Sequence, residues 1–546
     1  MARRGAQQGL IVPARAATLA TGPCSSTLAA KAHFILRGCC KQQAEGGRVN
    51  AMSTGSKAGT VPAALAELRE QIEVERAAMR ALEPDERARE TLGRQALDHA
   101  LEYLRGVPDG PSYHPVDQVF SRRLDPEIPE VGRDPAEVLA YLAACVERPG
   151  LAPTSPRFMG YIPGGALFHS ALGDMLAAVS NRYAGFAWAS PGAVRMENVV
   201  TRWMADAIGY PSEAAGTLTS GGSVANLTAI VAARDAGDAQ GGGAVYLTRF
   251  AHHCVDKALH IAGRGSAPRR AIATDARRRM VTADLAAALE ADRAAGVRPW
   301  LVVASAGTVD TGAVDPLREI AALAREYDAW LHVDGAYGGL FALCEEGRAR
   351  LVGLDLADSV ALDPHKTLFL PYGTGTALLR DGRRLAAAFS ASADYIEPLD
   401  ETGVGPSPSD MSIELTRHFR ALRLWLPLQI AGVEAFRAAQ REKLLLARYF
   451  HTRLGEIAEI EAGPEPDLSV TAFRYLPPRG DADVFNQQLL RHLVEEGRVM
   501  LSGTRIDGHF MLRCAILSFR THIEHVDEAI AAIARGISAV ERSASG

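Results

Sequence analysis

The heptapeptide WLHVDGA at residues 330–336 joins an apolar run to an acid, Asp334, and two small residues. Residues 359–366, SVALDPHK, place an acid, Asp363, and a lysine, Lys366, after a second apolar run. Each segment is typical of a short buried strand that ends in polar side chains. Ligands in open α/β sheets bind at the carboxyl ends of the strands. The two segments therefore predict a sheet with an acid and a lysine at one edge.

Both polar residues also have a purely structural interpretation. Asp334 can hold a cationic ring nitrogen or a metal ion, or it can cap the turn after its strand. Lys366 can be an ordinary exposed loop lysine. If it is partly desolvated instead, we expect burial to lower its pKa and to leave a neutral, nucleophilic amine.

Strand and helix patterns alternate through the middle of the chain. Apolar runs predict further strands at Ala244–Thr248, Leu301–Ala304 and Thr376–Arg380. Helical patterns separate several of them, and one helix begins at Asp315-Pro316. This alternation predicts an α/β fold with a mainly parallel central sheet and helices on both faces.

The domain organisation follows from where these patterns change. Residues 53–165 predict a helical N-terminal region, residues 166–432 a large domain, and residues 433–546 a smaller α+β domain. The Ser-, Gly- and Pro-rich stretch Ser390–Pro408 predicts a long surface loop. Helices outside the central alternation are predicted at Ala63–Leu82, Glu86–Leu104, Pro135–Cys145, Asn198–Ile208 and Arg417–Leu426.

Residues 1–52 form a tail of different composition. The first 51 residues hold seven Lys and Arg but one acid, Glu45. This bias is typical of a transit peptide, but it also fits an over-extended reading frame whose start is Met52. With either origin we expect the tail to be disordered and to lie outside the fold.

Composition narrows the function classes. Of the 546 residues, 47% are hydrophobic and 23% are charged, which excludes a largely disordered chain. No run of about 18 apolar residues predicts a membrane span. The net charge of −5 argues against a nucleic-acid partner. Seven scattered cysteines without a CxxC pair argue against disulfides and a metal site, and favour a cytoplasmic protein, or an organellar one if the tail is a transit peptide.

Residues 220–223, SGGS, predict an anion site. Paired glycines allow the backbone to approach a ligand, and Ser223 can cap a helix that runs from Val224 to Arg234. The helix dipole and free N–H groups would then favour a phosphate. The alternative is an ordinary turn between a strand and a helix.

His252 completes the set. It follows the strand Ala244–Thr248, and its ring can stack on a cofactor or occupy an ordinary turn. A glycine-rich phosphate turn, a histidine, an acid and a lysine, in this order, are what a pyridoxal 5'-phosphate enzyme needs.

With these residues the chain resembles the group II pyridoxal-phosphate-dependent decarboxylases, the family of aromatic-amino-acid, glutamate and diaminobutyrate decarboxylases. The resemblance covers roughly Glu83 to Val540. Its anchors are Ser190-Pro191, Glu197, Ser220-Gly221-Gly222-Ser223, Ala251-His252, Gly307-Thr308, His332 to Tyr337, Asp363 to Lys366, Phe419 to Leu422, and Leu512-Arg513.

The resemblance implies fold type I of the pyridoxal-phosphate enzymes, which is aspartate-aminotransferase-like, and a homodimer. It implies decarboxylation of an L-amino acid, with an aromatic substrate favoured, to the amine and CO2 through a lysine Schiff base and a quinonoid intermediate. Lys366, Asp334, His252 and His365 would be catalytic. The cofactor would contact Gly222, Ser223, His252, Thr308, Asp334, Ala336, Asp363, His365 and Lys366, and the substrate would contact Tyr161 and Pro163.

The chain also departs from the family pattern. A loop tyrosine that the family uses to protonate the intermediate is absent near Pro408, and the nearest tyrosine is Tyr395. This favours, as an alternative, an aldehyde synthase or another carbon–carbon lyase. Asp363 stands where the aromatic-specific members have an asparagine, and Val309 where a second threonine is common.

Further alternatives carry less weight. A catalytically silent regulatory protein would not need Lys366 and Asp334. A dinucleotide fingerprint at residues 373–375, GTG, should lead into a helix, but an apolar strand pattern follows. Tyr161, Phe186 and Trp188 can line an aromatic-friendly pocket or belong to the core.

Overall fold

The computed structural model describes residues 60–116, 128–238, 241–390 and 403–545. The chain divides into two compact units, Met1–Asp85 and Glu86–Gly546. In the first unit, helix α1 (Thr60–Ala78) is followed by a 3-10 turn at Met79–Leu82, as the apolar spacing predicts. The predicted tail lies outside the described residues.

The second unit begins with helix α2 (Glu86–Gly106). A short antiparallel pair follows, formed by strands β1 (Tyr113–His114) and β2 (Gly150–Leu151). Between them lies helix α3 (Pro135–Leu142), whose start is fixed by the Asp134 side chain, which accepts a hydrogen bond from the Ala136 N–H at 2.8 Å.

A seven-stranded central sheet organises this unit. Its strands are β3 (Ala215–Thr219), β4 (Ala244–Thr248), β5 (Arg269–Ile272), β6 (Pro299–Ser305), β7 (Trp330–Asp334), β8 (Ser359–Leu362) and β9 (Gly375–Leu379). Their order is β3-β9-β8-β7-β6-β4-β5; β9 is antiparallel to both of its neighbours, and the other neighbouring pairs of this sheet are parallel. The predicted α/β fold with a mainly parallel sheet is confirmed.

Helices follow most of these strands. They are α4 (Phe168–Ser180), α5 (Pro191–Ala207), α6 (Gly222–Gly237), α7 (Cys254–Ile261), α8 (Thr282–Ala294), α9 (Leu317–Glu326), α10 (Glu345–Arg350), α11 (Pro364–Thr367) and α12 (Gly382–Phe389). All seven residues of β6 are buried, which explains why this strand is apolar throughout instead of alternating.

The C-terminal part carries a second sheet. Helix α13 (Ala421–Leu454) leads into the antiparallel strands β10 (Ile460–Ala462), β11 (Val470–Tyr475), β12 (Ser502–Ile506) and β13 (His509–Ala515), in the order β10-β11-β13-β12. Helices α14 (Ala482–Glu496) and α15 (Ile523–Ser545) cover it around a core that includes Phe450, Phe473 and Leu512.

Several predicted bounds were wrong. Helix α5 starts at Pro191 rather than Asn198, because proline suits the first helical position. Helix α13 starts at Ala421 rather than Arg417 and continues to Leu454 across a break at Gly432, which has a φ of 72°. Part of the predicted loop, residues 391–402, lies outside the described residues. The division into domains at residues 165 and 432 stays a proposal.

No helix in the part of the chain that the structure describes is long and apolar enough to cross a membrane.

Candidate active site

A cavity of about 310 Å³ opens where β6, β7 and β8 end and α6 begins. The carboxyl ends of parallel strands meet at one edge of a sheet, which is why residues far apart in sequence converge there. The cavity wall includes every residue predicted for the cofactor, namely Gly222, Ser223, His252, Thr308, Asp334, Ala336, Asp363, His365 and Lys366.

Lys366 lies on the single turn α11, directly after β8. Its Nζ atom is 2.9 Å from Oδ2 of Asp363, and its side chain is 25% exposed. Burial opposes the charged amine, but the charge and hydrogen bond of Asp363, with the charge of Asp334, outweigh it and raise the pKa of Lys366. The expectation of a lowered pKa is therefore wrong for this chain without a cofactor, because a carboxylate partner offsets desolvation.

Asp334 ends strand β7, and its Oδ1 atom accepts a hydrogen bond from the Ala336 N–H at 3.1 Å. Two residues earlier, His332 is fully buried, with Nε2 at 2.7 Å from Asn226 Oδ1 and Nδ1 at 2.9 Å from Ser359 Oγ. Burial lowers the pKa of His332 to about 4, so this ring is neutral. The network fixes the end of β7 and thereby the position of the acid.

Asn226 also connects this network to the glycine-rich turn. Its Nδ2 atom donates to the carbonyl of Gly222 at 2.8 Å. No sequence motif marks Asn226, but its place in the first turns of α6, facing the sheet, could have identified it.

Helix α6 begins two residues earlier than the helix expected from Val224. Gly221 is the residue before the helix and Gly222 its first residue, so Ser223 does not cap it. The start of the helix has a steric cause, because strand β9 lies against the turn. A Cβ on Gly375 would stand 2.5 Å from the carbonyl carbon of Gly221. In a first helical turn, the N–H groups of Gly222 and Ser223 have no acceptor within the helix.

His252 sits between β4 and α7. The Cys254 N–H donates to its Nδ1 at 3.1 Å, so the proton of the neutral ring is on Nε2. Burial is the main cause that lowers the pKa of His252, and nearby His253 and Lys366 add to it. The residue therefore presents a neutral ring of defined tautomer to the cavity.

His365 has the opposite tautomer. Its Nδ1 lies 2.7 Å from the Thr374 carbonyl, which can only accept, so Nδ1 carries the proton. Burial lowers the pKa of His365. Gly164 packs against the same turn, since a Cβ there would stand 2.3 Å from the His365 carbonyl oxygen.

The remaining walls come from the loops after β4 and β6. Thr308 Oγ1 accepts from the Ala313 N–H at 3.1 Å and lies 2.9 Å from Thr311 Oγ1. Ser305 and Cys254, which were not predicted for the site, also line the cavity. Ser305 directly follows the predicted strand Leu301–Ala304, so the strand-end rule could have found it. Burial raises the pKa of the Cys254 thiol to about 12, which keeps it protonated.

The residues predicted for the substrate are placed differently. Among the described residues, Tyr161 and Pro163 are not part of the cavity wall: Tyr161 is exposed and Pro163 is buried. Arg513 connects their segment to the site, because it donates to the carbonyls of Tyr161 at 2.8 Å and Val309 at 2.6 Å.

The aromatic candidates Phe186 and Trp188 lie outside the cavity wall in the described part of the chain. They stack on each other with ring centroids 6.2 Å apart, and Phe186 also stacks on Tyr183. The Ser407 hydroxyl accepts a hydrogen bond from the Ala187 N–H at 3.1 Å, so these stacked aromatic rings lie beside the end of the predicted loop.

Comparison with known proteins agrees with this geometry. Residues 121–476 match the family model described as the pyridoxal-dependent decarboxylase conserved domain. The chain is 34% identical to the aromatic-L-amino-acid decarboxylase of Bacillus atrophaeus over 444 residues, which cover 80% of this chain and 92% of that protein. It is 29% identical to the phenylacetaldehyde synthase of Petunia hybrida over 476 residues, covering 82% and 93%.

A solved structure shows the same architecture. Oryza sativa TDC, determined with PLP and tryptamine, aligns with a TM-score of 0.78 and 26% identity. The alignment covers 84% of this chain and 99% of that one.

Proposed function

This chain belongs to the pyridoxal-dependent decarboxylase family, and from that premise we propose that it decarboxylates an aromatic L-amino acid to the amine and CO2. The observation that supports the proposal is the convergence of Lys366, Asp334 and the start of α6 on one cavity.

The residues present fit pyridoxal phosphate. The first turn of α6 offers N–H groups to a phosphate, and a Cβ on Gly222 would fill this cradle, since it would stand 3.1 Å from the Ala336 Cβ. Lys366 supplies a primary amine and Asp334 a carboxylate, while His252 and Ala336 supply a flat ring and a small apolar side chain for the two faces of a planar group.

The residues of the protein would hold the cofactor and orient it. When bound, the cofactor supplies an electron sink for the carbon that loses CO2. Lys366 would hold it, and Asp334 would keep a proton at its ring nitrogen. The buried network around His332 would keep Asp334 in place. The neutral ring of His252 would restrict movement on one face without adding a charge.

An aromatic substrate is favoured by the relatives. One carries the name aromatic-L-amino-acid decarboxylase, and the rice protein was solved with tryptamine. Arg513, buried and with Nη2 lacking a hydrogen-bond partner among the described residues, joins the Tyr161 segment to the site.

An aldehyde synthase is the second candidate. No tyrosine occurs in residues 403–416, the described end of the loop, and Tyr395 lies outside the described residues. The Petunia relative is named a phenylacetaldehyde synthase.

A substrate panel tests both candidates. The protein supplied with pyridoxal phosphate is incubated with the standard amino acids and diaminobutyrate, and CO2, amine, aldehyde, ammonia and peroxide are measured. The proposal expects CO2 and amine in equal amounts from an aromatic amino acid. Aldehyde, ammonia and peroxide in place of amine would support the synthase, and no CO2 from any substrate would contradict both.

We also propose that the protein is a homodimer. In the single chain, α1 exposes a stripe of apolar side chains at Leu65, Leu68, Ile72 and Val74. A stripe of this kind is typical of a surface that a partner covers. Light scattering after size exclusion measures the mass, and a monomer at micromolar concentration would contradict the proposal.

A further inference from the structure

Asp363 lies where the lysine and the start of helix α6 meet. Its Oδ2 atom is 2.9 Å from Lys366 Nζ, and a Cβ on Gly222 would stand 2.7 Å from the same oxygen. Its Oδ1 atom is buried and has no hydrogen-bond partner among the described residues. Without a cofactor, this carboxylate is therefore both the counter-ion of the lysine and an anion at the N-terminus of α6.

This inference rests on the proposed function, because it concerns the binding of the cofactor. Cofactor binding sets two requirements for the pair of Lys366 and Asp363. The amine must be neutral to act as a nucleophile, but Asp363 stabilises its charged form. A phosphate at the first turn of α6 would lie beside a carboxylate that is 2% exposed. Two like charges at such a position disfavour each other.

We propose that a single proton transfer meets both demands: as the cofactor binds, a proton moves from Lys366 Nζ to Oδ2 of Asp363. The N–H bonding pair stays on nitrogen as the lone pair of a neutral amine, and a new O–H bond forms on the carboxyl group. The pair has the same total charge before and after, so the transfer needs no proton from solvent. The neutral carboxyl can then donate a hydrogen bond instead of repelling the phosphate.

The other groups around the pair agree with this assignment. The neutral His365 ring has its proton on Nδ1, so the nitrogen nearer to Asp363, Nε2 at 3.7 Å from Oδ2, carries a lone pair instead of a proton. A lone pair next to a carboxylate is unfavourable, and next to a carboxylic acid it is not. The remaining charged or titratable groups that face the pair are Asp334 from β7, His252 and Cys254 from the segment between β4 and α7, Tyr372 from the segment before β9, and, through His365, Arg423 from α13.

Infrared difference spectroscopy tests the transfer directly. The spectrum of the full chain with pyridoxal phosphate minus that of the cofactor-free chain should contain a carboxylic-acid C=O band that shifts in D2O. The band should be absent in Asp363→Asn and present in Asp358→Asn, a matched control whose carboxyl accepts from the Leu331 N–H outside the cavity.

Nuclear magnetic resonance supplies the second measurement. Because the chain has six lysines, the ε-carbons of a lysine-labelled sample can be assigned one by one. In the cofactor-free protein, the Lys366 signal should titrate above the ordinary lysine value of 10.5, and Asp363→Asn should move this titration to lower pH, because the substitution removes the charge and the hydrogen bond that raise the pKa of the amine.

The outcomes separate this inference from the proposed function. If visible absorption shows that wild-type protein retains the cofactor but no carboxylic-acid band appears, the proton transfer is wrong and the proposed function stands. If no cofactor is retained, the proposed function itself is wrong. Should Asp363→Asn fail to fold, the wild-type band and the Lys366 titration decide alone.

Discussion

Two of the three lysines in the described residues are largely or fully buried, and they lie in different regions of the fold. Lys366 stands at the edge of the central sheet, with its amine at 2.9 Å from Asp363 and part of its side chain open to the cavity. Lys443 lies in α13 with no exposed side-chain surface, and its amine contacts Glu442 at 2.8 Å and the carbonyl of Thr521. Burial alone therefore does not distinguish a reactive lysine from a structural one.

The neighbours make the distinction. For Lys443, burial is the main influence and lowers the pKa, although Glu442 opposes it. Its contact with Thr521 joins α13 to the segment before α15. For Lys366, the charges of Asp363 and Asp334 outweigh the effect of burial and raise the pKa. The partner Asp363 has one carboxylate oxygen without a hydrogen bond among the described residues. An adjoining cavity and an unsatisfied carboxylate partner thus distinguish Lys366, the lysine proposed to hold the cofactor, from Lys443.

Replacing the lysine proposed to hold the cofactor should have the largest effect. Lys366→Ala should reduce CO2 release at least about a thousandfold, because it removes the amine that would hold the cofactor. The visible absorption of the cofactor-loaded protein should disappear with it. Retained turnover would show that the wrong lysine was chosen.

Asp334→Asn should have the second-largest effect on activity. We expect CO2 release to fall about a hundredfold because an amide cannot hold the ring-nitrogen proton electrostatically. The melting temperature, measured by circular dichroism, should change little, since the Ala336 N–H can still donate to the amide oxygen. An unchanged rate would remove the ring-nitrogen role.

Gly222→Ala should weaken phosphate binding at the first turn of α6 without replacing either buried lysine. A Cβ would stand 2.7 Å from Asp363 Oδ2 and must displace it. We expect the dissociation constant for pyridoxal phosphate to rise about tenfold, a cost of about 1.4 kcal/mol. Gly192→Ala is the matched control, because a Cβ there meets nothing within 4 Å. Equal affinities for the two variants would contradict the cradle.

Lys443→Met should have the smallest effect on activity. CO2 release should stay within about twofold, while the free energy of unfolding falls by about 1 kcal/mol because the Thr521 carbonyl loses its donor. The pKa of Lys443 is lowered in the folded protein, so the unfolded chain binds more protons between that pKa and the ordinary value of 10.5. Wild-type stability should therefore rise with pH in this window, and the gap to the variant should widen. A gap that narrows, measured by urea unfolding, would contradict the lowered pKa.

Much of the sheet was predictable because its strands are short, apolar and bounded by polar residues. The bounds predicted for β4 are confirmed to the residue, and the apolar run before Asp334 forms β7. Strand β5, Arg269–Ile272, was missed because two arginines interrupt the apolar pattern of a buried strand. The arginines reach solvent because β5 lies at the edge of the sheet. The antiparallel direction of β9 depends on chain connectivity, which local periodicity does not encode.

The site was predictable where a residue type is itself unusual at a strand end, as for Asp334 and Lys366. Properties that depend on a second segment were not. The pKa of Lys366 depends on where Asp363 points, and the start of α6 depends on how closely β9 passes Gly221. The contact of Tyr161 with Arg513 of β13 likewise depends on a second segment, and the contact of Tyr161 with the substrate stays a prediction.

The scarcity of lysine has a practical consequence for chemical labelling. Of the 59 basic Lys and Arg residues, six are lysines, and the described residues contain three of them: Lys257, Lys366 and Lys443. Succinimidyl esters and other acylating reagents thus meet very few primary amines, and one of them lines the cavity. A fluorescent acylating tag would report whether that cavity is filled, and attachment to solid supports would be better directed at other side chains.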